Sequence, residues 1–455
     1  MNMRFLCFIM ALLPFIAFAQ APDTLWTRTF GGEGDDYAQD VLQTSDGGFI
    51  VAGHAGSDAV LVKLSSSGDT AWSHIYGGPA ADVFFAVKST DDKGFVLAGS
   101  SNSFGAPEGD VYFVRTDSLG NVLWETTCGG PYQDVAHDVV VTPDGGYVAV
   151  GYTGPTDTSS YDFFAVKVSS TGDSLWWRGY ARPGQNFARS VELTSDSGLA
   201  IVGYSDATYR DVTYVIRTDD SGYVQWEYPY HVDYTNQGWS IKQTCDGGFL
   251  IASDARNTHW YILLTRINLS GDSVIWERAY SCDARYPDMD LCADGGAVIV
   301  AKTYLGSPDY GTGALIRTDS SGNSLWSGLY GHEEYGEEIP AAVQITRDGG
   351  FVIAGSSLQP AQSSYDFYVV RTGSEILGAT LLYDSTGAGV TLRWRASVPC
   401  RYEIYSTLEA NNDDIPPCQS WILEETMEGF CLSPTWLDSN PLPTYKKYVV
   451  VRVYQ

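Results

Sequence analysis

The side chains in this chain that could do chemistry gather in short segments where an aromatic residue sits near a carboxylate or an amide. Tyr132 stands near Asp134, Tyr161 beside Asp162, Tyr204 and Tyr209 close to Arg210, Tyr234 beside Asp233, and Glu333 and Glu334 beside Tyr335. Trp260, Tyr286 and Tyr310 occupy comparable segments. Flat rings suit the faces of sugars, and carboxylates and amides suit their hydroxyls, although the same side chains equally suit a protein partner or a solvated rim. Tyr132, Asp134, Tyr161, Asp162, Tyr204, Tyr209, Tyr234, Trp260, Tyr286, Tyr310, Glu333, Glu334 and Tyr335 are therefore the expected ligand-binding set. Two carboxylates at the right separation could also cleave a glycosidic bond. With 55 Asp and Glu in the chain, such pairs arise by chance, and none is singled out as catalytic. The sequence has no Gly-x-Ser-x-Gly elbow, no His-Glu-x-x-His and no calcium-loop pattern. Its six histidines share no spacing, and they read as packed or surface residues. No catalytic residue, metal or cofactor is assigned.

What positions these segments is a repeat. A Trp recurs at 26, 72, 124, 176, 226, 276 and 326, with spacings of 46, 52, 52, 50, 50 and 50 residues. Each leads to a turn that starts with Asp, at 46, 92, 144, 196, 246, 294 and 348. An apolar stretch follows, and then an alternating one that ends in Lys63, Arg115, Lys167, Arg217, Arg266, Arg317 or Arg371. In the first unit this predicts strands at Ala38 to Thr44, Phe49 to Gly53, Ala59 to Leu64 and Thr70 to Tyr76, an antiparallel meander. One such sheet cannot cover both its faces, so copies must stack, and radial stacking closes into a propeller. The fold predicted is all-β, with seven four-stranded blades. Trp26 and its strand precede the first inner strand, and no such strand follows Arg371. The N-terminal strand is thus expected to complete the last blade and close the ring.

The spacings also locate function. From Trp to turn Asp the distance is 20 residues in five units, whereas from turn Asp to basic residue it ranges from 17 to 23. The variation falls in the loop between the second and third strands, on one face of the ring, and a varied loop face on a rigid scaffold is where binding is expected. The recurrent Trp reads as packing between blades and Asp-Gly-Gly as turn chemistry. Ten residues before the turn Asp stands Asp36, Asp82, Asp134, Asn186 or Asn236 in five units. Two readings apply to that position: a polar ring around the pore, or a cap that accepts hydrogen bonds from the preceding Gly-rich loop. The cap is favoured because most blades use it.

Composition narrows the partners. The formal net charge is -28, from Asp+Glu 55 against Lys+Arg 27, which argues against binding nucleic acid or an anionic bilayer. Residues 1–21 combine Arg4, an uncharged run from Phe5 to Phe18 and the small-residue pattern Ala17-Phe18-Ala19, the features of a secretory signal peptide. No stretch of membrane-spanning length is present, so no membrane insertion is expected. Seven cysteines follow the signal, with Cys400 to Cys418 the expected bridge.

Two resemblances add to this reading. Gly120-Asn121-Val122-Leu123-Trp124 and Gly172-Asp173-Ser174-Leu175-Trp176 resemble the Gly-x-x-x-Trp segment of quinoprotein-type propeller repeats. The full pattern, Asp-Gly-Gly-Phe-x-x-Ala-Gly with Trp-x-x-x-Tyr-Gly-Gly, is more similar to repeat propellers of secreted bacterial proteins, over residues 23–373. The first resemblance would imply a quinone cofactor only with an adjacent Cys-Cys pair and eight blades. This chain has neither, so no cofactor is expected. Beyond Ile376 the repeat stops, and Val390 to Trp394, Tyr402 to Tyr405 and Tyr445 to Tyr454 resemble strands of a fibronectin type III module. The domains expected are a signal peptide (1–21), a propeller (22–374) and a β-sandwich (375–455). The function expected is a secreted, non-catalytic module that binds a glycan or protein on its loop face. The alternatives are a polysaccharide-cleaving enzyme that uses loop carboxylates and a structural surface-layer component.

Overall fold

The computed structural model describes residues 21–154, 160–206, 210–230, 235–281, 283–304, 311–331, 337–358, 364–374, 379–383, 390–394, 400–407, 422–429, 435–438 and 447–453. The expected leader, apart from Ala21, lies outside them, as does Cys418 with its expected bridge. One compact unit spans Pro22–Gly373, and a second contains Ser374–Gln455.

In the first unit, β1 (Thr24–Phe30) precedes a series of four-stranded antiparallel sheets. Blade 1 is β2 (Asp36–Gln43), β3 (Phe49–Ala55), β4 (Asp58–Leu64) and β5 (Thr70–Tyr76). Blade 2 is β6 (Asp82–Ser89), β7 (Phe95–Ser101), β8 (Asp110–Thr116) and β9 (Val122–Cys128). Blade 3 is β10 (Gln133–Val141), β11 (Tyr147–Gly154), β12 (Asp162–Val168) and β13 (Ser174–Tyr180). Blade 4 is β14 (Asn186–Leu193), β15 (Leu199–Ser205), β16 (Val212–Thr218) and β17 (Val224–Tyr230). Blade 5 is β18 (Thr235–Gln243), β19 (Phe249–Arg256), β20 (Trp260–Ile267) and β21 (Val274–Tyr280). Blade 6 is β22 (Ala284–Leu291), β23 (Ala297–Thr303), β24 (Thr312–Thr318) and β25 (Ser324–Tyr330). In blade 7, β26 (Glu338–Ile345), β27 (Phe351–Leu358) and β28 (Tyr365–Thr372) take β1 as their fourth strand. The fold is a seven-bladed β-propeller closed by its N-terminal strand, as the sequence predicts.

Blade stacking explains why the middle strands are apolar without alternation. On β3, Phe49 and Val51 pack toward blade 7 with Val352 and Phe367, while Ile50 and Ala52 pack toward blade 2 with Phe84 and Leu97. Both faces of each sheet are buried, so both sets of alternate residues must be hydrophobic. Two recurrent contacts hold each blade and a third joins it to the next. In each blade the basic residue at the end of the third strand reaches the turn Asp: Lys63 to Asp46 at 3.0 Å, Arg317 to Asp294 at 2.8 Å, and likewise Arg115–Asp92, Lys167–Asp144, Arg217–Asp196, Arg266–Asp246 and Arg371–Asp348. Hydrogen bonds from Thr90 and Arg115 hold the Asp92 carboxyl down at about 2. The second Gly of Asp-Gly-Gly is steric: a Cβ at Gly48 or Gly198 would strike the Lys63 or Arg217 head group. In the Trp-x-x-x-Tyr segment, the Trp of one blade lies against the turn Gly of the next, as Trp72 does against Gly120. The Tyr donates to that glycine's carbonyl, at 2.5–2.9 Å for Tyr76, Tyr180, Tyr230 and Tyr280. At the closure, Tyr330 donates instead to the Pro22 carbonyl at 2.7 Å.

The first hairpin of every blade has a five-residue turn, at 44–48, 90–94, 142–146, 194–198, 244–248, 292–296 and 346–350. The second hairpin varies from two residues between Ala55 and Asp58 to eight between Ser101 and Asp110. One face of the ring is therefore constant and the other varied.

In the second unit, β29 (Ala379–Tyr383), β30 (Val390–Trp394), β31 (Cys400–Thr407), β32 (Ile422–Gly429), β33 (Thr435–Asp438) and β34 (Lys447–Val453) form two three-stranded antiparallel sheets. Their orders are β29-β30-β33 and β32-β31-β34.

Candidate ligand-binding site at the channel mouth

The inner strands surround a central channel of about 480 Å³. Each inner strand carries a bulge near the varied face, where its register against the second strand slips. The residues left without a ladder partner are Gln39, Phe85, His137, Arg189, Trp239, the pair Tyr286 and Pro287, and Ala341, and all of them line the channel. A bulge bends its strand and re-aims a side chain. Repeated around a ring, it fills the mouth with residues that strict alternation would not place there. The Gly of the Phe-x-x-Ala-Gly segment makes room for it. A Cβ at Gly53, Gly99, Gly151, Gly203 or Gly355 would collide with the carbonyl oxygen just before the bulge. In blade 5, where Ser253 replaces this Gly, its ladder partner is Gly238. In blade 6, where Ala301 replaces it, the bulge widens to two residues.

The mouth is aromatic along the arc from blade 2 to blade 6. Phe85 packs on His137 (centroids 4.8 Å), His137 on Tyr152 (5.5 Å), Tyr152 on Phe187 (5.0 Å), Phe187 on Tyr204 (5.3 Å), and Tyr204 faces Trp239 at 6.2 Å. Tyr161 joins through Tyr152 and Phe187, and Tyr286 meets Trp239 edge-on at 5.0 Å. Arg189 and Arg285 are set closest into this arc, and Arg256 lies 5.5 Å from the Trp260 ring. Arg189 lies 4.7 Å from the Trp239 ring, and Arg285 lies 3.9 Å from Trp260 and 4.5 Å from Tyr286. Arg189 donates through Nη1 to His137 Nε2 (2.9 Å) and through Nη2 to the Tyr204 hydroxyl (3.0 Å). Because a guanidinium only donates, His137 must present a bare Nε2. Burial, and then the Arg189 charge, push the His137 pKa well below its ordinary value, consistent with a neutral ring. Arg285 Nε is 3.5 Å from Asp254 Oδ2, and burial raises the Asp254 carboxyl to about 6.

Deeper in, the channel is charged. Lys88 sits between Asp40 and Asp138, 3.3 Å from each, and Lys242 is 3.6 Å from Glu192. Burial opposes the Lys88 charge, and the facing Asp138 and Asp40 more than offset it, so its pKa is raised. Burial raises Asp288 to about 6 against the pull of Lys242. Several of these acids also serve the scaffold. Asp40, Asp138 and Asp288 accept the backbone N–H groups of Val87, Val191 and Val343 on the next blade, at 2.9–3.0 Å. The inner strand is an edge, and an acid from the neighbouring blade satisfies a donor it would otherwise leave open.

Of the thirteen residues expected at the site, Tyr161, Tyr204, Trp260 and Tyr286 lie in the aromatic arc. Tyr132 stands exposed on the loop before β10, and no ring contact among the described residues joins it to the arc. Asp134 is fully buried and accepts the Gly130 N–H at 2.8 Å. Asp36 and Asp82 do the same for Gly32 and Gly78, at 2.6 and 2.8 Å, which is the capping role. Asp162 accepts the Arg182 N–H at 3.1 Å and faces Asn186 Nδ2 at 3.5 Å. Tyr209, Tyr234, Tyr310, Glu333, Glu334 and Tyr335 lie outside the described residues. The sequence reading does not single out Phe85, Tyr152, Phe187, Arg189, Trp239 or Arg285. For Phe85, Arg189 and Trp239 the signal was a chemically irregular column seven residues before the turn Asp; Phe187 and Arg285 stand nine before it, in a second irregular column, and Tyr152 lies on the second strand. Among the described residues no group of three or more His, Cys, Asp or Glu is placed to hold a metal ion, and no helix is long and apolar enough to cross a membrane.

No protein-family model and no curated protein matches this chain. Among solved structures it is similar to a protein of unknown function from Dyadobacter fermentans, at 9% identity and a TM-score of 0.49, covering 78% of this chain and 99% of that one. It is also similar to PorZ, a surface component of the type-IX secretion system of Porphyromonas gingivalis, at 12% identity and a TM-score of 0.47 over 93% of this chain and 60% of that one. A third is puromycin hydrolase, at 13% identity and a TM-score of 0.48, with 80% of this chain and 59% of that one covered.

Proposed function

We propose that this chain is a secreted, non-catalytic binding propeller that holds a glycan or protein ligand at the mouth of its central channel, with a fibronectin type III-like module at residues 375–455. The observation that carries the reading is a continuous chain of ring contacts across five consecutive blades, of which Phe85, His137, Trp239 and Tyr286 line the channel. Exposed or half-buried aromatic clusters of this kind are expensive to keep at a surface unless something covers them. The strand order of the second unit, β29-β30-β33 and β32-β31-β34, supports a sandwich module that spaces or adheres. The test is binding of the whole protein to an array of glycans and a panel of envelope and secreted proteins, with Tyr204→Ala and Trp239→Ala alongside. The expected outcome is a saturable ligand whose affinity falls by about tenfold or more in each variant while the melting temperature holds near wild type. Absence of any ligand across both panels, or binding untouched by either substitution, would overturn it.

A further inference from the structure

Building on that reading, we infer that the ligand carries a carboxylate and is an acidic glycan, a saccharide with hexuronate units, whose acid group docks on Arg189. Among the described residues, three cations line the channel: Lys88, Lys242 and Arg189. Lys88 faces Asp40 and Asp138, and Lys242 faces Glu192. Arg189 faces no carboxylate among the described residues, in a protein with twice as many acids as bases. Its two polar partners, His137 and Tyr204, are uncharged, so neither neutralises it. Its Nε–H is buried and has no partner among the described residues. A half-buried guanidinium of this kind is costly unless a ligand supplies the missing anion.

The surroundings select a sugar acid over other anions. Arg189 is stacked against Trp239 and lies 5.4 Å from the Tyr204 ring and 5.7 Å from Phe187, so its plane is held, and each Nη keeps one N–H beyond its bond to His137 or Tyr204 with which to meet a carboxylate. The neighbouring rings offer faces to the C–H side of a pyranose. Below the mouth, Asp40 Oδ1, which takes the Val41 N–H, has room to accept from a hydroxyl as well. The net charge of -28 repels a densely charged polyanion, whereas a carboxylate spaced by neutral hydroxyl-bearing rings meets one cation locally. A peptide C-terminus would supply the carboxylate without the ring of hydroxyls that a sugar brings.

The experiment uses the whole protein against matched oligosaccharides, neutral hexose and hexuronate, together with peptides bearing a free C-terminus. Wild type, Arg189→Gln and Arg189→Lys are titrated at two salt concentrations, and thermal melts report whether each variant is folded. The expected result is a preference for the hexuronate of about tenfold or more, weakened by salt, lost in Arg189→Gln and partly kept in Arg189→Lys. Tyr204→Phe removes one of the bonds that fix Arg189 and should lower the hexuronate affinity without touching the neutral one. Equal binding of neutral and acidic sugars, or a preference that survives Arg189→Gln, would overturn this inference and leave the binding reading standing. Peptide binding in place of sugar would also overturn it. If no probe of any class binds, both readings fall together.

Discussion

At the scale of single residues, the turn Asp, the glycine after it and the basic residue form one device. The carboxylate accepts from its own turn and from a cation that arrives across the sheet, and the side chain of that cation occupies the space a Cβ would need. The Asp and basic series were both visible in the sequence, but their pairing was not, because the 17 to 23 residues between them include the variable hairpin. The position between Asp and the second Gly demands a left-handed backbone, at φ 82° for Gly47 and 79° for Gly145. Two blades break the rule, with Lys93 at φ 69° and Ser197 at φ 68°. A side chain there meets the following carbonyl oxygen at a cost of about 1 kcal/mol. Lys93→Gly and Ser197→Gly are therefore each expected to stabilise the fold by about 0.5–1 kcal/mol, offset in part by the greater freedom of glycine in the unfolded chain. Urea titration of the single and double variants checks this, and a fall in stability would show that these side chains make contacts worth more than the strain.

At the scale of elements, the site depends on the bulge in each inner strand. Strand existence and half of the bounds in the first blade followed from the repeat: Thr70–Tyr76, Phe49 and Leu64 were read directly, and the other ends moved by one or two residues. The bulge was not legible, because a strand with one extra residue keeps its apolar pattern on either side of the slip. The residue at the slip changes character from blade to blade, from Gln39 through His137, Arg189 and Trp239 to Ala341, but so does the residue two before it, so the column does not mark itself. The glycine opposite was legible as a motif but read without its cause. That cause makes Gly151 a sensitive position, since its Cβ would meet the Val135 carbonyl oxygen next to the bulge that presents His137. Gly151→Ala is expected to cost about 1–3 kcal/mol, as overpacking does, and to lower ligand affinity by displacing His137 and with it Arg189. Gly145→Ala, on the constant face, would also lower stability through its backbone but should leave affinity unchanged. Comparing the two by thermal melting and by titration separates a general loss of stability from a specific loss of the mouth.

At the scale of the whole molecule, blade number and closure were legible because a period of about fifty residues recurs in three series at once, with a spare strand at the start and a missing one at the end. The closure is more than a hydrogen-bonded edge. Phe30 stacks on Phe367 at 5.3 Å, Trp26 meets Phe49 edge-on at 5.6 Å, and the Pro22 carbonyl takes the bond from Tyr330 that a turn glycine takes elsewhere. The segment Pro22 to Phe30 thus contributes to both neighbours of the seam, blade 6 through Pro22 and blade 1 through Trp26, while β1 completes blade 7. Without it, β28 would become a long unpaired edge with an apolar flank, the kind that pairs with another chain. A chain that lacks Pro22 to Phe30 is therefore expected to lose about 5 kcal/mol or more, since truncating one buried aromatic already costs about 3–5 kcal/mol. It should also associate in a concentration-dependent way, visible by analytical ultracentrifugation. A synthetic peptide of residues 22–31 added in excess should restore the monomer and raise the melting temperature with peptide concentration, because it binds the folded ring alone. If the shortened chain stayed monomeric and melted where the intact one does, the seam would have to be held by the inner-strand contacts between blades 7 and 1, and β1 would be an accessory to a ring that closes without it.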